Sequence, residues 1–374
     1  MILRNVLLTL ALMASATSQA DINIGESVPT SGLAGDTGKA LALGASIYFG
    51  RVNAQGGING EPINLITRDD GYDATRTLAN THDLIEKENA VALIGYYGTT
   101  PMQELIKSKL LDTAGIALVG AYSGADSIRT PGSPYFFQTR ASYTDEIERI
   151  VSLLNDHLGV TRIAVVAQKD GFGEAGYIAL KNELAKRKLT LAGEAWYDKT
   201  TGDTNGAAQA LAKINPEAIV MVAISKPAAT FTRQYKALGG TSQLYGLSPI
   251  QYDEVTKAVG VGTAHGIGLS QVFPAPTNAQ LKLIRDFQKD AEPFLKTGDY
   301  PSYALLEGYI SARLVTEAIK RAGKNPTRAS VYTALSNMRK FDLGGFTVDF
   351  TDKRRLGSNF VELTMISPTG TLTR

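Results

Sequence analysis

The chain has 374 residues, enough for two domains of ordinary size, each with its own core. Its 44% apolar and 20% charged content is that of a globular protein, and the absence of cysteine excludes disulfides, thiolate metal sites, cysteine nucleophiles and lipoprotein-type lipid attachment. With Arg4 set aside as part of a leader, 37 basic residues face 36 acidic ones, and no dense basic run carries interleaved aromatics, which argues against nucleic acid as a partner.

Residues 1–20 read as a secretory signal peptide: Arg4 precedes the apolar run Val6 to Met13, and Ser18-x-Ala20 supplies a small-residue cleavage pattern. The run is well short of the ~20 apolar residues that span a bilayer. A soluble, exported, periplasmic chain beginning at Asp21 is expected. INIGESVP (Ile22 to Pro29) then predicts a strand and SGLAGDTG a loop. Asp36 is a candidate cap for a helix through about Asn53, with Leu41, Ala45, Tyr48 and Val52 along one face. GGINGEP turns the chain into the strand INLITRDD. A helix near Ala74 to Glu88, the strand VALIG, a helix after Pro101 and the strand IALVGAY continue the alternation.

A second set of strands begins with RIAVVAQ and runs through TLAGEAWY, AIVMVAI, LYGLSP and HGIGLSQVF. The helical segments Asn278 to Leu295 and Tyr303 to Ala322 follow, and the chain finishes with the β-rich stretches FTVDF and FVELTMI. This pattern predicts an α/β protein of two blocks with mainly parallel sheets. No sequence-level repeat, heptad run or low-complexity tract appears.

Three strand-to-helix junctions concentrate polar and aromatic groups. IGYYGTTP places Tyr96, Tyr97, Thr99 and Thr100 before a helix, with Thr99 or Thr100 as N-cap and Pro101 at the first helical position. Free backbone N–H groups at such a terminus bind carboxylates. VGAYSGADS places Tyr122 and Ser123 after a strand, and AQKDGFGEAG places Asp170 and Phe172 after the first strand of the second block. Ligands of open α/β sheets sit at the carboxyl ends of strands, so these loops predict one small-ligand cleft.

Enzyme signatures are mostly missing. G-x-S-x-G and a phosphate loop do not occur, GVGTAHG around Gly260 is not G-x-G-x-x-G, and His82, His157 and His265 are isolated, so no cofactor, metal or catalytic residue is expected. Asp69 and Asp70 are adjacent on a strand and therefore point to opposite faces, which suits a role in the following turn better than a shared site.

With these junctions in place, the chain resembles the type I periplasmic solute-binding proteins of branched-chain amino acid ABC transporters, the leucine/isoleucine/valine-binding-like family. The resemblance covers the mature chain and rests on IGESVPTSGLAGDTGKALALGASIYFGRVNAQGGINGEPINLITRDD, IGYYGTT, VGAYSGADSIR and IAVVAQKDGFGEAG in that order. It implies two Rossmann-like lobes joined by a three-crossover hinge, with crossovers near Arg140, Phe273 and Gly357. The first lobe would hold residues 21–140 with 273–356, and the second 141–272 with 357–374. It further implies closure of a monomer over a small carboxylate solute and delivery to an ABC permease in the inner membrane. Hydroxyls for the ligand carboxylate fall on Thr99 or Thr100 and on Ser123, with Tyr97 and Tyr122 beside them, and the closing aromatic falls on Phe172. Where amino-acid-binding relatives carry an acidic anchor, this chain reads GLSPIQYDE, so Ser248, Ile250 and Gln251 are the nearest candidates, none of them anionic, and Asp170 is a possible substitute; Ser225 is a further ligand-binding candidate. Tyr72 and Gly98 lie near the positions of a cysteine pair found in some relatives. Two rival readings are a ligand-sensing receptor for a signalling partner and a secreted hydrolase using Ser123 with a distant histidine.

Overall fold

The computed structural model describes residues 21–295 and 301–374; the leader expected over residues 1–20 lies outside the described residues. Two sheets organise the chain. The first contains β1 (Ile22–Val28), β2 (Ile63–Asp69), β3 (Ala92–Ile94), β4 (Leu118–Val119) and β5 (Phe136–Phe137), all parallel, in the spatial order β2-β1-β3-β4-β5. The second contains the parallel strands β6 (Ile163–Gln168), β7 (Gly193–Tyr197), β8 (Ala218–Val222), β9 (Gln243–Gly246) and β10 (Gly268–Gln271). After a short hairpin of β11 (Phe341–Asp342) and β12 (Thr347–Val348), the chain adds β13 (Glu362–Ile366) and β14 (Leu372–Thr373), both antiparallel to their neighbours. The order of the second sheet is β14-β13-β10-β9-β8-β6-β7.

Helices cover both faces of the central strands, which is why β8, and β6 up to Ala167, read as apolar runs and both strands are buried at every position. The strand order turns back between β1 and β3 in one sheet and between β6 and β8 in the other. These are the two points where an open α/β sheet offers a crevice at its strand ends.

The return of the chain to the first sheet after β10 is held by helix packing. The helix Tyr303–Ala322 lies against Gly35–Ala54 through reciprocal glycines: a Cβ on Gly44 would fall on the Leu305 carbonyl, and one on Gly308 on the Leu41 carbonyl. Removing two side chains lets the backbones meet, and Leu41, Ala45, Leu305 and Leu306 are buried around the crossing.

Two local expectations need correction. Asp36 does not cap the first helix; Ala34 is the N-cap, and Asp36 sits in the first turn and pairs with Lys226 of the other lobe at 3.0 Å. The helix expected from Asn278 shrinks to Lys282–Ala291 with a 3-10 turn at Glu292–Phe294, because Pro293 ends the regular hydrogen-bond pattern.

Candidate ligand site between the lobes

After β3 the backbone passes Gly95, Tyr96, Tyr97 and Gly98 and enters the helix Thr99–Ser108. Gly98 is the N-cap with φ of 92°, so Thr99 and Thr100 occupy the first two helical positions and Pro101 the third rather than the first, and the helix starts two residues earlier than the sequence suggests. Pro101 is tolerated there because the early N–H groups of a helix have no intrahelical acceptor. A Cβ on Gly98 would fall on the Tyr72 ring, so glycine is required both for the dihedral and for that ring to lie against the backbone.

Tyr97 and Tyr122 form a bridge that extends the first sheet past β3 and β4, and their rings stack at 5.0 Å and 10°. Tyr72 meets Tyr97 edge-on at 5.1 Å. Thr99 and Ser123 share a hydrogen bond of 2.8 Å between hydroxyls, and both are fully buried. Ser123 is therefore partnered by a threonine rather than by a base, while His157 bonds the Ser152 carbonyl and His82 faces Asp83. Arg129, buried but still basic with its pKa pushed down to about 10 by burial, donates to the carbonyls of Ser123 (3.5 Å), Arg140 (3.1 Å) and Ala141 (3.1 Å), fixing this loop to the segment after β5.

The second lobe presents the start of the helix Gly171–Lys186. Asp170 caps it, accepting from the N–H groups of Phe172 at 3.0 Å and Gly173 at 3.2 Å. Its other oxygen accepts from Gln168 Nε2 at 2.9 Å and, across the lobes, from the Tyr72 hydroxyl at 3.2 Å. Gln168 Nε2 also donates to Tyr72 at 3.1 Å, and Gly171 N donates to Thr100 Oγ1 at 3.1 Å. Phe172 is buried against Tyr143, with ring centroids 5.2 Å apart. Burial holds the phenols of Tyr72, Tyr97 and Tyr122 well above their ordinary pKa, so each is a neutral hydrogen-bonding group.

Between these elements lies a gap of about 10 Å³, close to what one water occupies. Its first-lobe wall is Tyr72, Tyr97, Gly98, Thr99 and Tyr122, and Tyr143, Phe172, Ile224 and Pro249 complete it. Of the residues singled out from sequence, Tyr97, Thr99, Tyr122 and Phe172 line the gap, Ser123 backs Thr99, and Thr100 and Asp170 join the lobes at its edge. Ser225, Ser248 and Gln251 stand one layer out. Gln251 donates through Nε2 to the Tyr122 hydroxyl at 2.9 Å, accepts from Ala304 N at 3.2 Å, and donates its own N–H to Ser225 Oγ at 3.0 Å. Sequence reasoning did not assign Tyr72, Tyr143, Ile224 or Pro249 to the wall.

Ser248 belongs to a buried charge network at the hinge. Its hydroxyl accepts from Arg140 Nη2 at 2.7 Å and donates to Glu146 at 2.9 Å, while its N–H donates to Glu146 at 2.7 Å. The Arg140 guanidinium lies over the Tyr122 ring at 4.2 Å and 3.7 Å from Glu307. Burial raises both acids, Glu307 to about 7, and Arg140 opposes that rise. Asp69 and Asp70 are both structural: Asp69 accepts from Thr30 N, Ser31, Gly71 N and Arg76, and Asp70 from Tyr72 N, Ser27 and Thr77. Among the described residues no group of three His, Asp or Glu side chains is placed to hold a metal ion, and no helix is long and apolar enough to cross a membrane.

Residues 21–369 match the family model described as periplasmic binding protein. An amino acid binding protein of Pseudomonas aeruginosa is 26% identical over 322 residues, covering 84% of this chain and 83% of its own length. Among solved structures, a substrate-binding periplasmic protein from Ralstonia solanacearum is 38% identical with a TM-score of 0.90, over 94% of this chain and 99% of that one. A branched chain amino acid ABC transporter protein from Thermus thermophilus with bound valine shares the fold at a TM-score of 0.86 and 18% identity, over 95% of each chain.

Proposed function

Because the chain belongs to the periplasmic binding protein family, we propose that it is the periplasmic solute-capturing component of an ABC importer, gripping a small carboxylate between its lobes. It is not an enzyme: its relatives are binding proteins. The observation that carries the carboxylate reading is the start of the helix Thr99–Ser108, where first-turn N–H groups and the paired hydroxyls of Thr99 and Ser123 meet an aromatic-walled gap. Such a terminus favours a negative group without a charged side chain. The rings of Tyr72, Tyr97, Tyr122 and Phe172 suit an apolar or aromatic body behind that group.

A gap of about 10 Å³ holds no amino acid or aromatic acid, so capture requires the lobes to part and close again. In this reading the moving bodies are residues 21–140 with 273–356 and residues 141–272 with 357–374. The monomer then presents its closed form to an inner-membrane permease. The test is a thermal-shift screen of the mature protein against amino acids, aromatic acids, short aliphatic acids and, as controls that lack the carboxylate, the matching amides. A bound carboxylate at ~100 times its Kd stabilises the fold by about 2.7 kcal/mol, while its amide does not. Silence across all three acid classes overturns the proposal.

A further inference from the structure

Resting on the reading that the two bodies part and close, we infer that Glu307 is a positioning residue for closure, taking a proton from water as the lobes meet and returning it as they part. The ground for this is the uneven sharing of one buried cation between two acids. Arg140 donates from Nη2 to Ser248 of the opposite lobe at 2.7 Å, while its Nε and Nη1 are buried and find no hydrogen-bond partner among the described residues. Glu146, also of that lobe, accepts from Ser248 N at 2.7 Å, Ser248 Oγ at 2.9 Å and Ser270 Oγ at 2.6 Å, and these donors favour its ionised form. Glu307 is less well served. Its Oε1 is buried with no hydrogen-bond partner among the described residues, and Arg140 Nε stands 3.7 Å away. A buried carboxylate oxygen without a donor is costly, and a proton removes that cost. Burial raises the Glu307 pKa to about 7, with Arg140 opposing and Glu146 adding to the rise.

The groups around Glu307 ride on different bodies. Arg140, Tyr122 and Tyr303, which is one turn back on the same helix, move with the first lobe; Glu146 and Ser248 move with the second. Arg129 and Tyr143 bear on Arg140 from behind. Parting the lobes carries off both the Ser248 acceptor and the Glu146 charge and leaves Arg140 to Glu307 alone. Each change favours the ionised carboxylate, so the closed form holds the proton more tightly. Closure is therefore favoured as pH falls through about 7 toward the ordinary glutamate value of 4.5, and well above 7 it no longer depends on this group. The proton touches no solute, so the dependence belongs to the protein whatever the cargo.

The chain has no cysteine, so Lys107→Cys and Asn182→Cys, at exposed positions on the helices Thr99–Ser108 and Gly171–Lys186, accept a pair of spin labels without competing thiols. Double electron–electron resonance on the mature chain, with no solute added, then gives the closed and parted populations as separate distances. From pH 8 to pH 6 the closed-to-parted ratio should rise about tenfold. Glu307→Gln, a fixed copy of the protonated acid, should hold the ratio near its pH 6 value throughout. Ser248→Ala, which frees Arg140 for Glu307 in the closed form, should at least halve the change. Tyr72→Phe added to each brings the parted form into range where the closed one dominates. A constant ratio in the labelled chain, or a rise as steep in Glu307→Gln, overturns the assignment while leaving carboxylate capture in place. A single distance at every pH in both backgrounds defeats the parting of the lobes as well.

Discussion

Glu26 is an acid placed where charge is disfavoured. It is fully buried on β1, its Oε2 accepts from Thr67 at 2.8 Å, and its Oε1 has no donor. Burial, helped by Asp70 and opposed by Thr67, pushes its pKa up to about 8. Because the folded state holds this proton more tightly than the unfolded chain, the stability it contributes is complete below about pH 4.5 and is lost as pH rises through 8. The full effect is on the order of 5 kcal/mol. Glu26→Gln, which mimics the neutral acid, should flatten the fall of the denaturation midpoint between those limits and stabilise the protein at pH 8; an unchanged slope would show that the acid is not the titrating group. For the site, Thr99→Ala and Ser123→Ala should each weaken binding of a carboxylate probe by roughly 1.5–3 kcal/mol in calorimetry, the worth of a hydrogen bond to a charged group; unchanged affinity in both would show that the site lies elsewhere. These hydroxyls were legible in the sequence because a strand-to-helix junction is a local pattern. Tyr72 was not, because it meets the Tyr97 ring from the far side of the helix Ala74–Glu86 and of β3.

The alternation of strands and helices was readable because long apolar runs such as Ile163–Gln168 leave little choice of structure. The two-residue strand β5 gave no separate signal, since its pairing is decided by its neighbour β4 in the sheet. Helix starts were misplaced by up to two residues where polar residues compete: Gly98, with its positive φ, takes the cap from Thr99 or Thr100 and frees the Thr99 hydroxyl for Ser123. The pairing of the first and late helices could not be foreseen from either alone. It makes a sharp demand, because both Gly44 and Gly308 face a carbonyl. Gly308→Ala should lower the stability measured by urea denaturation by about 1–3 kcal/mol, and Gly44→Val by more, through forced separation of the helices. Wild-type midpoints in both would mean the crossing is looser than its backbone spacing indicates.

Across the whole molecule the lobes meet through polar groups on both sides of the aromatic gap. Tyr72 joins Asp170 and Gln168, Thr100 accepts from Gly171, Gln251 reaches Tyr122, and Thr37 reaches Glu254. Tyr72→Phe removes two of these bonds while keeping the ring, and should shift the ligand-free chain toward the parted form by about 1–2 kcal/mol. Small-angle scattering should then report a larger radius of gyration than wild type, and equal radii would contradict a role for this contact in closure. The hinge was legible as a return to β structure at the carboxyl end, but its buried cation between two acids was not, since Glu307 comes from a passage far along the chain from Arg140 and Glu146.

The Thr100–Gly171 contact has a further consequence. It joins protein to protein at the rim, so any cargo that permits the lobes to meet benefits from it alike. Removing the Thr100 hydroxyl should loosen the hold on every accepted compound by a common factor and leave their ranking as it was. Strength of retention and choice of cargo are thus set by different atoms, and either can drift while the other stays fixed.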